Sequence, residues 1–476
     1  MPIPVVSVAQ MREWEKVTWA SGIKEDAVMR RAGAAVARLA EKLTRPDDFI
    51  LFLAGKGHNG DDAAYGFEFI THRHRELVRV IDPAIAGKEI TAHLQRQPAL
   101  LVDGLFGIGL NRALSGSWLK LIDKINQSRV PILAVDVPSG LSADTGLPLE
   151  VAIRANRTLT FGAVKRGLLN TGAASFVGRL EVAADIGLVS YPFTTELSLT
   201  APEDFKDYPP ARPVGGHKGT FGHLAIIAGS PGYHGAAVLA ARGAQRAQPG
   251  LITLFTHESV FVPVASQLQA VMVQPVSDAL RLPESCTAIL IGPGLASGEL
   301  SERFKRAARQ LWMDSPLPVV ADASALDWLP AGPCHEGVLR VITPHPGEAA
   351  RLLKSSVAEV QEDRVAAVRE LSRRWANCHV VLKGRQTIVG HAKEDLFANN
   401  SGNPHLAQGG SGDLLAGYLG GLLAQPELQK DASLALRFGV WQHGAAADAL
   451  LTTRPNFTIE DLAVELGRER NRWQLT

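Results

Sequence analysis

The sequence predicts an α/β protein of two domains, each built on a largely parallel β-sheet. Its 476 residues are enough for two or three domains of roughly 150 residues each. Short apolar runs alternate with helical patterns along the whole chain, as in successive βαβ units. Glycine accounts for 45 of the 476 residues, about 9% against an average of about 7%. This excess suits a fold with many tight strand-to-helix turns.

The composition excludes several classes of protein. With 46% hydrophobic and 20% charged residues, the chain is globular rather than disordered. Lys and Arg total 49 against 48 Asp and Glu, so no basic field would gather nucleic acid or an anionic membrane surface. The apolar stretch 414–423 is shorter than the ~20 residues of a membrane span, and we expect neither a signal peptide nor an anchor. Three cysteines are too few for a disulfide framework and predict a reduced, cytoplasmic protein.

Two blocks of strands and helices are visible along the chain. In the first block we predict strands at residues 49–53, 77–81, 100–102, 132–135 and 158–161. In the second block we predict strands at residues 223–227, 251–256, 288–291, 319–321, 338–342 and 380–382. The stretch between them, residues 190–219, contains five prolines and no sustained periodicity. We therefore place the boundary near Lys206, with domains at 1–205 and 206–476.

Three strands of the first block end in loops that carry polar side chains. These loops read GKGHNGDD, DGLFGIGL and VDVPSGL, and in an open α/β sheet such loops meet at the carboxyl edge, where ligands bind. A glycine turn followed by a helix suits a phosphate group, but tight turns need glycine in any case. Each aspartate alone would serve equally as a helix N-cap. Together the loops predict a site in which five side chains gather oxygen ligands around a cation and place a carboxylate near a substrate carbon: Asn59, Asp62, Asp103, Asp136 and Ser139.

The second block has its clearest signal in the segment QGGSGDLLAGYLGG. Gly409, Gly410 and Gly412 precede Asp413 at the start of an uncharged helix, so backbone N–H groups and the helix dipole would face a phosphate. Asp413 is then placed to accept a proton from a substrate hydroxyl. A helix cap needs only one small polar residue, so the additional glycines favour a site. No GxxxxGK[ST] motif occurs, which excludes a P-loop enzyme.

The motifs of the first block, together with QMREWE and MRRAGAAVA near the N-terminus, resemble the NAD(P)H-hydrate epimerase family over about residues 1–200. The resemblance implies a Rossmann-like, three-layer αβα domain that interconverts the R and S epimers of hydrated NADH and NADPH (NADHX and NADPHX). It implies that Asp136 acts at the hydrated ring and that K⁺ is bound by Asn59, Asp103 and Ser139. The implied substrate contacts are His58, Asn59, Gly60, Asp61, Asp62, Gly107, Ile108, Gly109, Leu110, Asn111, Arg112, Ala113 and Asp136.

One position departs from the epimerase pattern. The family commonly reads NNGGDG where this chain has His58 to Ala63, so Asp61 introduces a carboxylate and a Cβ in place of glycine. We expect both to hinder the close approach of a diphosphate.

The second block contains GPGL, DASAL, TPHPGE, LKGRQT and GGSGD, a set that resembles the ADP-dependent NAD(P)H-hydrate dehydratase family over about residues 212–470. The resemblance implies a ribokinase-like fold, Mg²⁺ as cofactor, and Asp413 as the catalytic base. The implied hydrate contacts are Ala236, Gly294, His345 and Asp413. The implied nucleotide contacts are Lys383, Gly384, Arg385, Gln386, Thr387, Gly409, Gly410, Ser411 and Gly412.

Together the two halves resemble a bifunctional repair enzyme for hydrated nicotinamide nucleotides, in which one half makes the epimer that the other consumes. The expected partners are NADHX or NADPHX, ADP or ATP, and further copies of the same chain in a homo-oligomer. The alternative is a ribokinase-like kinase for a small molecule such as a vitamin precursor, joined to a nucleotide-binding module without catalysis. The sequence leaves open the choice between ADP and ATP and between the two hydrates.

Overall fold

The computed structural model of the protein describes residues 2–276, 280–298, 300–335 and 337–468. The chain divides into two compact units between Glu196 and Leu197, nine residues before the predicted boundary at 205/206. The difference arises because strand β9 (Leu197–Thr200) pairs in parallel with β18 (Leu396–Asn399) of the second unit. No helix in the described part of the chain has both the length and the apolar character needed to cross a membrane.

The N-terminal unit has a parallel sheet in the order β3-β2-β4-β5-β6-β8 across the described residues. The strands of this unit are β1 (Ile3–Val6), β2 (Phe49–Ala54), β3 (His74–Arg79), β4 (Leu100–Gly104), β5 (Ile132–Val135), β6 (Arg157–Phe161), β7 (Val164–Lys165) and β8 (Arg179–Ala183). Strands β1 and β7 pair with each other in parallel and do not belong to the six-stranded sheet. Its helices are α1 (Val8–Ala20), α2 (Glu25–Leu43), α3 (His58–Phe69), α4 (Pro83–Gln95), α5 (Ser117–Gln127) and α6 (Ala174–Val177).

Both faces of this sheet are buried, which is the reason the central strands read as continuous apolar runs. Ile50 and Phe52 pack into one core and Leu51 and Leu53 into the other, as the alternation of side chains along a strand requires. The expected three-layer α/β architecture is therefore confirmed. Strand β3 begins at His74 rather than at residue 77, because its first half is polar and lies at the exposed edge of the sheet.

The C-terminal unit has a larger sheet, whose strands in the described residues follow the order β12-β11-β10-β13-β14-β15-β16-β17-β18-β9. The further strands are β10 (His223–Ile227), β11 (Leu251–His257), β12 (Met272–Val276), β13 (Ala288–Ile291), β14 (Val319–Ala321), β15 (Arg340–Ile342), β16 (His379–Leu382) and β17 (Ile388–Gly390). Pairing is parallel except between β16 and β17 and between β17 and β18.

Helices cover the two faces of the second sheet over two separate cores. They are α7 (His234–Ala247), α8 (Phe261–Ala265), α9 (Glu302–Asp314), α10 (Pro346–Leu353), α11 (Val357–Glu362), α12 (Arg364–Arg374), α13 (Ser411–Leu423), α14 (Pro426–Gln429), α15 (Ala432–Thr453) and α16 (Ile459–Glu465). The predicted strands of this block are all present, although β15 begins at Arg340 rather than at residue 338.

Helices α7 and α13 pack with their backbones in contact. A Cβ atom on Gly417 of α13 would lie 1.9 Å from the carbonyl oxygen of Ala240 on α7, and one on Gly243 would lie 2.1 Å from that of Leu414. Neither distance is compatible with a side chain, so these glycines are required by packing. The small residues of both helices thereby fix the position of the first turn of α13.

We expect Gly417→Ala to destabilise the C-terminal unit by about 1–3 kcal/mol, because the added methyl group must displace one helix from the other. Gly235→Ala on α7 is the matched control: a Cβ there would meet nothing within 4 Å among the described residues, and alanine favours the helix. Amide hydrogen exchange of α13 measures the local stability of both variants. Equal protection of α13 in the two variants would contradict the packing argument.

Candidate functional site

The loops after β2, β4 and β5 meet at one edge of the N-terminal sheet beside a cavity of about 440 Å³. Seven of the predicted site residues line it: His58, Asn59, Asp62, Gly107, Ile108, Gly109 and Asp136. Helices α1 and α2 close it with side chains that the sequence analysis did not single out, among them Arg12, Glu15, Trp19 and Glu25. The other predicted residues of this unit do not line the cavity: Gly60, Asp61, Asp103, Leu110, Asn111, Arg112, Ala113 and Ser139.

The glycines at the centre of this site are required by close packing of the loops. A Cβ on Gly55 would lie 1.9 Å from the carbonyl oxygen of Leu105, and one on Gly60 would lie 2.1 Å from that of Gly55. The loop after β2 is therefore pressed against the loop after β4. The identity of Gly60 follows from this contact without reference to a ligand.

Asp136 lies at the centre of a buried hydrogen-bond network. Its backbone has φ +62°, a left-handed conformation that is uncommon for a non-glycine residue. Its Oδ1 accepts from Lys165 Nζ at 2.5 Å, from Thr160 Oγ1 at 3.0 Å and from the amide of Phe161 at 3.2 Å. Lys165 has only 1% of its side chain exposed. Because Oδ1 takes all three bonds, Oδ2 has no hydrogen-bond donor among the described residues and is available to a ligand.

Lys165 is the main functional candidate that the sequence analysis missed. Its Nζ also donates to the carbonyl oxygen of Phe161 at 3.0 Å, so the ammonium group is fixed by backbone as well as by Asp136. A single lysine inside the apolar stretch LTFGAVKRGLL was the available signal, since lysine is almost never fully buried unless it is paired.

The cavity raises the pKa of two further carboxyl groups that line it, those of Glu15 and Asp62. Burial raises the pKa of Glu15, an effect that Lys165 partly offsets. Burial, reinforced by the charge of Asp136, raises the pKa of Asp62 well above its ordinary value. Asp62 Oδ1 and Asn59 Nδ2 are buried and lack a hydrogen-bond partner within the described ranges. Buried polar atoms are normally satisfied, so these two mark a place where a ligand would bind.

Asp103 and Ser139 join the loops after β4 and β5. Asp103 Oδ1 accepts from Ser139 Oγ at 2.6 Å and from the amide of Leu105 at 3.2 Å, while Oδ2 accepts from the amide of Ser139 at 2.9 Å. Burial raises the pKa of Asp103 to about 6. A Cβ on Gly107 would lie 3.0 Å from Asn59 Oδ1, which places the Asn59 amide against the loop that follows Asp103.

Asp61, which stands where the epimerase family has glycine, forms an ion pair in the structure. Asp61 Oδ1 lies 2.9 Å from an Arg79 guanidinium nitrogen, NH1, at the carboxyl end of β3. The carboxylate is therefore drawn toward the edge strand and away from the cavity.

We expect Asp62→Asn to stabilise the N-terminal unit at pH 8 by about 1–3 kcal/mol. Because the pKa of Asp62 is higher in the folded than in the unfolded chain, the folded state binds more protons. Stability therefore falls as the pH rises from the unfolded pKa, near 3.8, to the folded one. An amide does not ionise, so the gain should be present at pH 8 and should vanish near pH 4. Hydrogen exchange of β2 and α3 at both values measures it.

Glu68→Gln serves as the control for this prediction, because Glu68 is an exposed carboxylate on the same helix, α3, and its charge is not among those that raise the pKa of Asp62. Its replacement should give no gain at pH 8. An Asp62→Asn variant that is no more stable than the parent at pH 8 would show that the carboxyl group is not destabilising in the folded state.

In the C-terminal unit, the QGGSGD segment forms the predicted turn at the start of α13. Gly410 adopts φ +91°, a conformation that favours glycine. A Cβ on Gly409 would meet no described atom within 4 Å, whereas one on Gly412 would lie 3.4 Å from Lys383 Nζ. The turn is thus open on one side and bordered by a cation on the other, as an anion site requires.

Three carboxylates and one lysine surround this turn. Lys383 Nζ lies 2.7 Å from Asp322 Oδ1 and 3.9 Å from Glu348 Oε2, and Thr343 Oγ1 donates to Asp322 Oδ1 at 2.6 Å. Burial, reinforced by the charge of Asp322, raises the pKa of Asp413 to about 6, against the opposite effect of Lys383. Burial acts to lower the pKa of Lys383, but the charges of Asp322 and Glu348 raise it overall. Asp413 is therefore a carboxyl group that can change protonation near neutral pH.

Buried Arg364 supports the loop that carries Lys383. Its NH2 donates to the carbonyl oxygens of Leu382 at 2.9 Å and Lys383 at 3.2 Å, and its NH1 donates to that of Arg385. Burial lowers the pKa of Arg364 to about 10. Gln386 and Thr387, predicted nucleotide contacts, are buried. Sequence reasoning did not identify Arg364, because it lies on α12, about twenty residues before the loop that it holds.

The predicted hydrate contacts fall into two places. A Cβ on Gly294 would lie 2.8 Å from Ala236 Cβ and 2.5 Å from the carbonyl oxygen of Tyr233, so Ala236 and Gly294 are neighbours. His345 is the N-cap of α10: its Nδ1 accepts from the amide of Gly347 at 3.0 Å, and its amide donates to Glu348 Oε2 at 2.7 Å. The helix cap thereby connects His345 to the charge cluster around Lys383.

Helix α15, which carries the WQHGAAAD segment, supports the loops of this site from behind. His443 makes a hydrogen bond with the backbone of Ser411, and burial lowers the pKa of His443 to about 4. Asp448 accepts from the amide of Gly402 at 3.0 Å and from Asn403 Nδ2 at 3.1 Å. Because its pKa is low, the His443 imidazole is neutral at physiological pH. It therefore acts as a structural support for the turn.

Comparison with known proteins assigns both units. Residues 224–468 match a family model described as NAD(P)H-hydrate dehydratase, and residues 71–167 match one described as YjeF-related protein N-terminus. The bifunctional NAD(P)H-hydrate repair enzyme Nnr of Coxiella burnetii (strain RSA 493 / Nine Mile phase I) is 33% identical, over 92% of this chain and 93% of that protein.

Two solved structures resemble the C-terminal unit. The ADP/ATP-dependent NAD(P)H-hydrate dehydratase of Bacillus subtilis, co-crystallised with ATP/Mg²⁺, matches at 30% identity with a TM-score of 0.53, over 58% of this chain and 98% of that one. A ribokinase-like superfamily protein of Enterococcus faecalis V583 matches at 23% identity with a TM-score of 0.50, over 59% of this chain and 98% of that one. The second match confirms the ribokinase-like fold. The chain belongs to the family of bifunctional NAD(P)H-hydrate repair enzymes.

Proposed function

We propose that the N-terminal unit epimerises hydrated NADH and NADPH at the cavity around Asp136, and that the C-terminal unit dehydrates the S epimer with a nucleoside di- or triphosphate at Asp413. The observation that carries this proposal is that Asp413 directly follows an open glycine turn and interacts with the charge of Lys383 beside that turn, an arrangement suited to phosphoryl transfer. The family relationship supports the choice of hydrate.

The dehydration needs an activated leaving group, since hydroxide is a poor one. Asp413 accepts the proton of the ring hydroxyl, whose oxygen then forms a bond to the terminal phosphorus of the nucleotide while the bridging P–O bond breaks. The ring nitrogen's electron pair expels phosphate from the carbon, and loss of the proton from the neighbouring ring carbon restores the dihydropyridine. Two bonds to oxygen are broken in sequence, and no oxidant or reductant is required.

The charges around Asp413 suit this sequence. The amides of the turn at 409–412 and the Lys383 ammonium group face the place where negative charge develops on the transferred phosphoryl group. Asp322 and Glu348 hold Lys383 at the turn. A carboxyl group with a pKa of about 6 is ionised in most molecules at pH 7 and is a stronger base than an ordinary aspartate.

The metal requirements of the two sites differ. No cluster of three or more His, Cys, Asp or Glu in the described residues is arranged to hold a metal ion, so a cage built only from protein does not fit Mg²⁺. Mg²⁺ suits coordination by the phosphates of the nucleotide and by water, where it would neutralise phosphate charge. For K⁺ we propose the oxygen-bearing set Asn59, Asp103 and Ser139, supported by the hydrogen bond that joins Asp103 to Ser139 and by the position of Asn59 Oδ1 against the loop after β4. K⁺ there would order the loops around the cavity.

In the epimerase cavity we propose that Asp136 Oδ2 meets the hydroxyl-bearing carbon of the hydrated ring. Lys165 and Thr160 hold the carboxylate in one orientation through Oδ1. Glu15, whose pKa burial raises, provides a second carboxyl group to exchange a proton with the hydroxyl. Inversion at this carbon requires its C–O bond to break and re-form: the ring nitrogen's electron pair expels the hydroxyl as water after one carboxyl group protonates it, and water then adds to the opposite face and gives a proton to the other carboxylate. Glu15 and Asp136 supply this acid and base.

We also propose a cytoplasmic location and assembly into a homo-oligomer. The free thiols of Cys286, Cys334 and Cys378 support a reducing compartment. The oligomeric state stays a prediction from family resemblance.

The two activities should be separable by single substitutions, because each unit has its own carboxylate. With mixed NADHX epimers, Mg²⁺, K⁺ and either ADP or ATP, we expect Asp413→Asn to lose about 10²–10⁴-fold in dehydration while it still interconverts the epimers. Asp136→Asn should dehydrate the S epimer normally and leave the R epimer to spontaneous interconversion. Chromatographic separation of the epimers and recovery of reduced-nicotinamide absorbance measure both.

Accumulation of a stable phosphorylated product, without NADH, would instead assign the C-terminal unit as a small-molecule kinase. Equal epimerisation rates in the parent and in Asp136→Asn would assign the N-terminal unit as a binding module. Comparison of ADP with ATP in the parent protein identifies the phosphoryl donor.

The pH dependence of dehydration should follow Asp413. Because the base must be deprotonated, kcat/KM should fall about tenfold per pH unit below a midpoint of about 6. Asp322→Asn should lower this midpoint, since it removes the charge that helps to raise the pKa of Asp413. Asp327→Asn, in an exposed pair with Arg351, is the control. The nucleotide phosphate also titrates near pH 6, but identically in all variants, so an unshifted midpoint in Asp322→Asn would refute the assignment.

A further inference from the structure

We propose that Arg79, at the carboxyl end of β3, recognises the 2′-phosphate of the adenosine ribose in NADPHX, and that Asp61 restrains it. This inference rests on the proposed epimerase function and concerns which of the two hydrates the N-terminal unit prefers. The proposed ligand group is a phosphate monoester on a ribose.

The order of the sheet places Arg79 at the adenosine end of a bound dinucleotide. Asp136 follows β5, the glycine loop follows β2, and β3 is the edge strand beyond β2. Neighbouring strands are about 4.8 Å apart, so β3 lies about 14 Å from β5 across three strand spacings. With the hydrated ring at Asp136 and the diphosphate at the glycine loop, the second nucleoside runs toward β3.

The same strand end distinguishes the two nucleotides in dinucleotide-binding folds generally. An acidic side chain there binds the free 2′-hydroxyl, whereas an arginine accommodates the 2′-phosphate. Arg79 has 48% of its side chain exposed and touches Asp61 through NH1 alone. Within the described residues, Nε and NH2 of Arg79 make no hydrogen bond. Both nitrogens of the planar guanidinium group can therefore donate to a phosphate.

The orientation of the neighbouring groups favours the phosphate. Arg79 reaches the first turn of α3, which directly follows the glycine loop, and so lies on the path of the nucleotide. Asp82, the acidic residue beyond β3, is turned toward α4, where its Oδ1 caps the helix by accepting from the amide of Ala84 at 2.8 Å. Ile81 and Ile85 are 67% and 75% exposed and offer an apolar surface for the adenine ring.

Asp61 modulates this subsite through charge. Its carboxylate accepts a hydrogen bond from NH1 of Arg79 and repels a phosphate. The ion pair between Asp61 and Arg79 therefore has to break when NADPHX binds. A direct clash of Asp61 with the diphosphate would instead weaken the binding of both hydrates equally, because both contain that group.

The test compares NADPHX with NADHX on the full chain. We expect Arg79→Gln to lower the ratio of epimerase kcat/KM values, NADPHX over NADHX, at least tenfold, and Asp61→Asn to raise it several-fold. Arg96→Gln is the matched control, because Arg96 is also an exposed arginine paired with a carboxylate of β3, Glu76 at 3.5 Å. The control should leave the ratio within twofold of the parent.

Binding of NADP⁺ and NAD⁺, measured by titration calorimetry of the same variants, separates failure of this inference from failure of the proposed function. Without turnover of either hydrate, the epimerase proposal fails, and an Arg79-dependent preference for NADP⁺ still supports the subsite. The inference is overturned if Arg79→Gln changes neither the ratio of kcat/KM values for NADPHX and NADHX nor the relative affinity for NADP⁺ and NAD⁺. If Asp61→Asn raises kcat/KM equally for both hydrates, Asp61 does not modulate the 2′-phosphate subsite and is assigned to the diphosphate.

Discussion

The contact between the backbones of α7 and α13 determines the geometry of the C-terminal site. Gly243 and Gly417 leave no room for a side chain between the two helices, so their separation has one value. Asp413 lies four residues before Gly417, on the first turn of α13, and the glycine turn precedes it directly. The distance from this carboxylate to the Lys383 ammonium group therefore depends on how closely the helices approach.

The lysine side chain of each site is held in place by a different kind of contact. In the C-terminal unit, Arg364 donates to backbone carbonyl groups of the loop at 382–385, so loop and lysine move together. In the N-terminal unit, Lys165 is itself buried and donates to Asp136 and to the carbonyl oxygen of Phe161. A buried charge without its partner is costly, so Lys165 and Asp136 each stabilise the position of the other.

The sequence predicts the central strands because they are apolar on both faces and glycines mark their ends. It does not predict short or polar strands such as β7 and β12, whose pairing depends on neighbours distant in the chain. The same distinction holds for the sites. Asp136 and Asp413 follow recognisable loops, whereas Lys165 and Arg364 reach their partners only through tertiary contacts. No local pattern gives those contacts, and a long side chain near a loop has no sequence periodicity to reveal its direction.

Glycines in functional loops are informative only after packing has been considered. Gly60 and Gly417 are explained by atoms that a Cβ would strike, and Gly410 by its positive φ. Gly109 and Gly409 have negative φ or extended backbone, and a Cβ on either would meet no described atom within 4 Å. Neither conformation nor packing requires glycine at these two positions. Both lie in loops at a carboxyl edge, and Gly109 lines the cavity. A glycine at each position leaves the space beside the backbone open, as the proposed binding of a ligand at these loops requires.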